Sequence, residues 1–310
     1  LSNLIRSIGL SRQASAGIIL GGLLNIVLDP LFMFVLLPKG YEVLGAGIAT
    51  ALSNFIAFLY FVVVLLRLGR NSVVTFSPRV GLPSKSSVFA VFAVGVPSAL
   101  TTFLFDLDYV IIDKLMTTYH DLAMAAIGVV LKIERFPLNV GIGICQGMMP
   151  LVAYSLTAGH EKRMNDTIRY SRRVGLLVAA ASILLYELFA AQLSNLFIPD
   201  EQTVALASEF LRVRVLATPL MFVSFFTVYL FQAFGKGKIA LFLGVTRWLV
   251  FNIPMLFVLN GLFGMFGIVW AQVCADALTV ALSLIVFKKC RPAFPKQPPV
   301  PGQEQNVSLE

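Results

Sequence analysis

Apolar runs of about 20 residues recur along this chain, and each is long enough to cross the hydrocarbon core of a bilayer as a helix. Hydrophobic residues fill 58% of the 310 positions and charged residues only 13%, whereas a soluble domain averages about 25% charged residues. The runs show no sustained apolar–polar alternation, which a membrane β-barrel would require. The sequence therefore predicts an all-α, polytopic helical membrane protein.

The apolar runs define about eight transmembrane helices. We place them at 14–37, 44–66, 87–116, 122–157, 174–197, 203–233, 238–259 and 264–287. Lysine and arginine collect in the segments at one side of this arrangement, at 6–12, 67–85, 162–173, 236–238 and 288–291. Since cytoplasmic segments carry the excess of basic residues, this side is predicted to be cytoplasmic, with the C-terminus on it. The net charge of +8 then reflects topology, and no nucleic-acid partner is expected.

An internal repeat relates the first two helices to the last two. NIVLDPLFMF at 25–34 aligns with FNIPMLFVL at 251–259, with Pro30 opposite Pro254, and Gly47 aligns with Gly267 in the helices that follow. Transporters are often built from such parallel halves. We therefore expect part of a two-lobe, 6+6 helix transporter without its first four helices, so that this chain alone would not transport. The predicted parts are the end of the N-terminal lobe (1–67), a cytoplasmic linker (68–86), a six-helix C-terminal lobe (87–289) and a disordered cytoplasmic tail (290–310).

Charged residues inside the predicted helices are the main functional candidates, because each is costly in a membrane unless it is paired. Counting along the helices puts several of them at a similar depth in the outer half of the bilayer. They are Asp106, Asp108, Lys132, Glu134, Arg135, Arg212 and Arg214. Such a layer can bind and release H⁺ or Na⁺ through Asp106 or Asp108, or it can be a static ion-pair network that only positions helices. Both interpretations remain open from the sequence.

Other polar residues in the helices have predicted roles as well. Arg247 and Asp276 fall at matched depth on antiparallel helices, so we predict a structural ion pair. Asp29 precedes Pro30, and it can hinge a broken helix or line the cavity of the other lobe. Pro137 is expected to interrupt its helix and free nearby carbonyls toward a cavity. Gln146 brings an amide to the inner half of the same helix and is a further candidate for the cavity.

The residues typical of metal sites are sparse. Cys145, Cys274 and Cys290 show no ligand spacing, and the two histidines, His120 and His160, fall in predicted loops. We expect neither a metal site nor a cofactor. An enzyme that uses the Asp106-x-Asp108 pair for Mg²⁺–diphosphate chemistry would need a second acidic motif on a facing helix. The sequence lacks such a motif, so we do not expect an enzyme. A scaffold without transport activity is disfavoured by the number of charges inside the helices.

Several dispersed segments resemble the MATE (multidrug and toxin extrusion) transporters, with a character similar to DinF-like and related bacterial branches. The similarity runs from the end of the family's fourth helix to its twelfth, and almost to residue 289. The matching segments are LIRSIGLSRQA with NIVLDP and GAGIATALS, MAAIGVVLKI with GIGICQGMMPLVAYSLTAG, FLRVRVLATPL with YLFQAFGKGK, and TRWLVFNIPML with GIVWAQVCADAL.

The resemblance implies a secondary active antiporter of the cell membrane. H⁺ or Na⁺ would enter while an amphipathic, often cationic compound leaves by alternating access, from a protein that is monomeric when full length. The alternative within transport is a flippase for a lipid-linked oligosaccharide or peptidoglycan precursor, whose pyrophosphate Lys132, Arg135, Arg212 and Arg214 would hold.

Overall fold

The computed structural model describes residues 1–68 and 84–290. Within them the chain is helical and divides into two compact units, Leu1–Ser84 and Lys85–Glu310. Most of the predicted linker at 68–86 and the predicted tail beyond residue 290 lie outside the described residues.

Among its described residues, the first unit contains three α-helices and one π-helical segment. The α-helices are α1 (Ser2–Ser7), α2 (Ser11–Pro30) and α3 (Glu42–Leu68), and a π-helical segment at Leu31–Leu36 continues α2. Helices α2 and α3 form a hairpin in which Gly17 packs against the Phe61 ring. A small core that includes Ile5, Ala14, Phe61 and Leu65 joins α1 to this hairpin.

The second unit contains eight α-helices and one π-helical segment. They are α4 (Lys85–Met116), α5 (Asp121–Thr157), α6 (Glu161–Asn195), α7 (Glu201–Val215), α8 (Thr218–Ala233), α9 (Gly237–Val245), the π-helical segment Thr246–Asn252, α10 (Ile253–Phe263) and α11 (Met265–Cys290).

Helices occupy all eight predicted positions. Among the described residues, six helices are long and apolar enough to cross a membrane, or seven if the bent pair α7–α8 counts as one span. Helix α4 occupies the remaining predicted position and is 32 residues long. The fold class predicted from the sequence, an all-α polytopic membrane protein, is confirmed.

The structure corrects two predicted helices near prolines. The helix predicted at 203–233 is broken between Val215 and Thr218 and bends by 47°, because Pro219 cannot donate a backbone hydrogen bond and instead suits the start of α8. Pro137, predicted to interrupt its helix, lies inside a continuous α5 of 37 residues. Helix α5 therefore crosses the unit in one piece, whereas the α7–α8 pair has a joint.

Two apolar clusters build the core of the second unit, and both draw on α5 and α11. One includes Ile127 to Ile133 of α5 and Ile268 of α11. The other includes Cys145 to Val152 of α5 and, at its edge, Leu282 of α11. The stretch of each helix between its two clusters is where buried charged residues occur, at Glu134 and Asp276.

Candidate functional site

A buried ion pair joins α5 to α7. Arg214 Nε donates to Glu134 Oε2 over 2.7 Å, and Arg214 Nη2 donates to Glu134 Oε1 over 3.3 Å. Both side chains are at most 5% exposed. This two-point geometry is the strong form of an arginine–carboxylate contact, so the pair fixes the facing surfaces of the two helices.

A second buried pair joins the π-helical segment of the second unit to α11. Arg247 Nε donates to Asp276 Oδ1 over 2.8 Å, and Gln272 Nε2 donates to Asp276 Oδ2 over 2.6 Å. The Arg247 guanidinium also lies 4.3 Å from the ring centres of Phe225 and Trp248. The two residues of the predicted ion pair are therefore in contact; a purely structural role for them stays a prediction.

The third buried carboxylate, Asp108, is held by an amide. Asn252 Nδ2 donates to Asp108 Oδ1 over 2.7 Å, and both residues are 1% exposed. Arg214 and Arg247 are both near enough to act electrostatically on the Asp108 carboxylate. Asp108 is thus within electrostatic range of both ion pairs. These side chains form one buried charged cluster, defined here as Asp108, Glu134, Arg214, Arg247, Asn252, Gln272 and Asp276.

The π-helical segment explains how one short stretch serves two carboxylates. Arg247 and Asn252 are five residues apart, and on an α-helix they would point about 140° away from each other. The wider turn, closed by a bond from the Ile253 N–H to the Trp248 carbonyl five residues back, brings positions five apart onto one side. Arg247 can therefore reach Asp276 while Asn252 reaches Asp108.

Four residues predicted to share this charged layer lie elsewhere on their helices. Asp106 and Lys132 are exposed. Arg135 is exposed, with its guanidinium 4.9 Å from the Tyr109 ring centre, and Arg212 is about half exposed, 3.8 Å from Glu187. Equal depth did not place them together, because neighbouring positions on a helix point about 100° apart. The shared layer is thus smaller than predicted.

The cluster also contains groups that the sequence analysis missed. Asn252 and Gln272 are amides within strongly apolar stretches, and both are buried. Trp248, which packs against Arg247, was missed as well. An isolated amide in a membrane helix is a usable signal, because it is costly there without a partner; charges alone were counted.

The carbonyl that Pro137 cannot bond is satisfied by a side chain. Four residues before Pro137, the Ile133 carbonyl accepts a hydrogen bond of 3.1 Å from the Tyr186 hydroxyl. Freed carbonyls near Pro137 were predicted to face a cavity. For Ile133 this prediction is wrong, because its carbonyl accepts from Tyr186 of a neighbouring helix. A small cavity does begin at the next turn, lined by Glu134, Pro137 and Thr218 among others.

A larger cavity shares a wall with the charged cluster. Its volume is about 280 Å³, and it lies among α4, α5 and α8. Gln146, a candidate cavity residue, lines it and hydrogen-bonds with Tyr229. Phe225 lines it as well and carries the Arg247 guanidinium on its ring. The other lining residues are Thr101, Thr102, Phe105, Ile142, Val228 and Gln232.

Asp29 belongs to a separate polar group in the first unit. Asn25 Nδ2 donates to Asp29 Oδ1 over 3.0 Å and to Thr50 Oγ1 over 3.3 Å, which links α2 to α3. Asp29 is half-buried and precedes the π-helical segment that begins at Leu31. In residues 1–68 and 84–290, no group of three or more His, Cys, Asp or Glu side chains is arranged to hold a metal ion.

The chain matches a known protein family. A family model described as MatE matches residues 97–258, more than half of the chain. The multidrug export protein MepA of Staphylococcus saprophyticus is 30% identical over 290 residues, which cover 93% of this chain and 62% of that protein. MepA of Staphylococcus haemolyticus is 29% identical over 291 residues, 94% of this chain and 63% of that protein.

Two solved structures have a similar fold. A crystal structure of MATE in complex with MaL6 superposes with a TM-score of 0.83 at 22% identity, over 93% of this chain and 65% of that one. A mutant of the Vibrio cholerae MATE transporter VcmN superposes with a TM-score of 0.81 at 19% identity, over 92% of this chain and 64% of that one. The chain thus spans somewhat less than two thirds of the length of these relatives.

Proposed function

Since this chain belongs to the MatE family, we propose that its whole protein is a secondary active antiporter that exports amphipathic, often cationic compounds in exchange for H⁺ or Na⁺. Relatives named as multidrug export proteins support this function over an enzyme. In this proposal the chain supplies the last two helices of one lobe (1–67) and a six-helix second lobe (87–289), joined by a cytoplasmic linker. The protein works as a monomer in the cell membrane, with its C-terminus in the cytoplasm.

The observation that carries the coupling proposal is the composition of the buried charged cluster. It contains three carboxylates, at Asp108, Glu134 and Asp276, but only two guanidinium groups, at Arg214 and Arg247. Each arginine has its own carboxylate, which leaves Asp108 with an amide as its hydrogen-bond partner. A buried carboxylate without its own cation is costly when ionised. Asp108 is therefore the acid that takes up H⁺ or Na⁺.

The 280 Å³ cavity is the proposed contact for substrate in this lobe. Its aromatic residues, Phe105, Phe225 and Tyr229, suit the flat apolar part of an amphipathic compound and attract cations through their ring faces. Phe225 also contacts Arg247, whose partner Asp276 belongs to the same cluster as Asp108. A change of charge at Asp108 is therefore felt close to Phe225, which lines the proposed substrate cavity.

Nothing in the cluster favours the flippase alternative. A pyrophosphate site needs several free cations that converge, but Arg214 is buried against Glu134. Arg135 contacts Tyr109 and Arg212 lies near Glu187, so the three arginines are engaged with different partners.

The test uses everted membrane vesicles that contain the protein expressed from its full-length gene. Accumulation of a fluorescent organic cation is followed under an imposed H⁺ gradient and, separately, an imposed Na⁺ gradient. We expect Asp108→Asn to abolish gradient-driven accumulation at normal expression. Asp106→Asn, two residues away and exposed, is the matched control and retains gradient-driven accumulation. Normal transport by Asp108→Asn would assign coupling elsewhere, with Asp29 as the next acid to test, and no accumulation by the wild type under either gradient would overturn the antiporter itself.

A further inference from the structure

Helix α6 is longer than a membrane requires. Its 35 residues, with a kink at Phe189, have a contour length of about 52 Å at 1.5 Å per residue, against a hydrocarbon core of about 30 Å. The stretch from Arg173 to its end at Asn195 alone spans about 33 Å. Arg172 and Arg173 therefore lie where hydrocarbon gives way to headgroups, and the residues before them extend into water.

One face of α6 is packed and the opposite face is open. The packed face is a stripe of mostly small residues: Ser171, Gly175, Ala179, Ser182, Tyr186, Ala190 and Ser194 are all buried. The open face carries exposed leucines along the membrane span, including Leu177, Leu184 and Leu188, which are 62–69% exposed. Small residues let α6 approach its neighbours closely, so its large apolar side chains face away from the helix bundle.

Toward the N-terminal end of α6, the open face carries basic residues directly in line with the exposed leucines. Positions 177, 173 and 170 follow one another at helical spacing, so Arg173 and Tyr170 continue the line of exposed leucines. Arg172 is also exposed, and Tyr170 is 71% exposed. Arg169 lies one turn further and is 3.7 Å from Asp166. No hydrogen bond or ion pair engages Arg172 or Arg173 within the part of the chain that the structure describes.

This arrangement matches the shape and charge of an anionic phospholipid. An acyl chain fits along the exposed leucines, a phosphate fits between the two arginines, and an interfacial tyrosine is typical of the headgroup level. Basic side chains next to a membrane span attract anionic lipids by about 1 kcal/mol each. We propose that the open face of α6 binds an anionic phospholipid lengthwise, with its headgroup phosphate on Arg172 and Arg173. This binding surface is independent of the transport function proposed above.

The experiment measures phosphatidylglycerol binding to the protein purified in a neutral detergent. Native mass spectrometry counts retained lipid, and thermal unfolding is followed as phosphatidylglycerol or phosphatidylcholine is added. We expect tighter binding and a higher Tm with phosphatidylglycerol. Replacing both arginines, as Arg172→Gln with Arg173→Gln, weakens this binding roughly 30-fold, because two charges at about 1 kcal/mol each are lost.

The matched control removes the same charge from the same helix. Lys162→Gln with Arg163→Gln lies about 15 Å further into water and leaves phosphatidylglycerol binding within about twofold. Equal loss in both double variants would mean a general effect of surface charge and would overturn the proposal. So would equal binding of the two lipids, or stabilisation by inorganic phosphate to the same Tm, which would indicate a free anion site. The single variants Arg172→Gln and Arg173→Gln give the same comparison if the double variant does not fold.

Discussion

The Tyr186 hydroxyl donates to the backbone carbonyl of Ile133 over 3.1 Å, across two helices. In an unbroken α-helix this carbonyl would accept from the residue four positions later, but that residue is Pro137, which has no N–H. Tyr186 is only 4% exposed, so its hydroxyl is a buried donor for this carbonyl. A side chain of α6 therefore completes the backbone of α5 beside Glu134, the residue that anchors one end of the charged cluster.

The first prediction concerns this bond. Tyr186→Phe leaves a buried carbonyl without a donor, which costs about 1–3 kcal/mol, and thermal unfolding in detergent measures the loss. In a Pro137→Ala background the restored N–H at position 137 serves the same carbonyl, so Tyr186→Phe costs less there. Equal costs in the two backgrounds would contradict the assignment. Tyr154→Phe, at a residue 60% exposed, is the matched control and changes the Tm little.

The second prediction concerns the buried pair of α5 and α7. Arg214→Met leaves the Glu134 carboxylate buried without its partner, which costs about 3–5 kcal/mol. Adding Glu134→Gln removes the stranded charge and recovers much of that stability in the same unfolding measurement. Arg212→Met is the control two residues away; its guanidinium is about half exposed, so the change stays within about 0.5 kcal/mol. A cost for Arg214→Met as small as that of the control would show that the pair is not desolvated.

The third prediction concerns the close packing of α11 against α10. A Cβ on Gly267 would clash with the Leu259 carbonyl oxygen, and a backbone atom cannot move aside as a side chain can. Gly267→Ala therefore forces the two helices apart and costs about 1–3 kcal/mol or more, read as a lower Tm. Gly261→Ala has open space within 4 Å of its new Cβ and replaces glycine inside a helix, so it is neutral or slightly stabilising. Matching Tm losses in the two variants would rule out close packing as the cause.

The fourth prediction concerns pH and the start of α7. Hydrogen bonds from the Thr203 hydroxyl and the Thr203 N–H lower the pKa of Asp200 below its ordinary value. Since the folded-state pKa is the lower one, the stabilisation is complete above the ordinary pKa of about 3.9 and is lost as the pH falls through the folded-state pKa. Asp200→Asn keeps a capping side chain but no charge. Wild type is therefore expected to have a higher Tm than this variant near pH 6, and the Tm difference should shrink as the pH falls below about 3.9. A constant difference would point to a cause other than ionisation.

Hydropathy was sufficient to predict the helices, because a bilayer demands long apolar segments whatever packs beside them. It could not predict the break at Leu216–Ala217, since Pro219 and Pro137 look alike in sequence. The difference lies in the neighbours. At Pro137, the Tyr186 hydroxyl supplies the donor that the Ile133 carbonyl would otherwise lack. Pro219 lies in the first turn of a new helix, where no intrahelical donor is required.

The charged cluster was predicted by depth and only partly found. Glu134 and Arg214 are in contact, and Arg214 also acts electrostatically on Asp108. Depth, however, gives no information on the direction in which a side chain points. Arg212 and Arg214 differ by about 200° around α7, and only Arg214 faces Glu134. Asn252 was missed for a second reason: its approach to Asp108 depends on a π-helical turn, and the sequence of Thr246–Asn252 carries no obvious sign of one.

The wide turn at Thr246–Asn252 has a consequence for comparing sequences. A π-helical turn contains one residue more than the α-helical turn it replaces. Removing that residue would rotate everything beyond it by about 100° and part Asn252 from Asp108 while leaving Arg247 in place. Homologues that keep both contacts must therefore keep the same number of residues between them, and an alignment gap in this stretch would mark relatives in which the third carboxylate is held some other way.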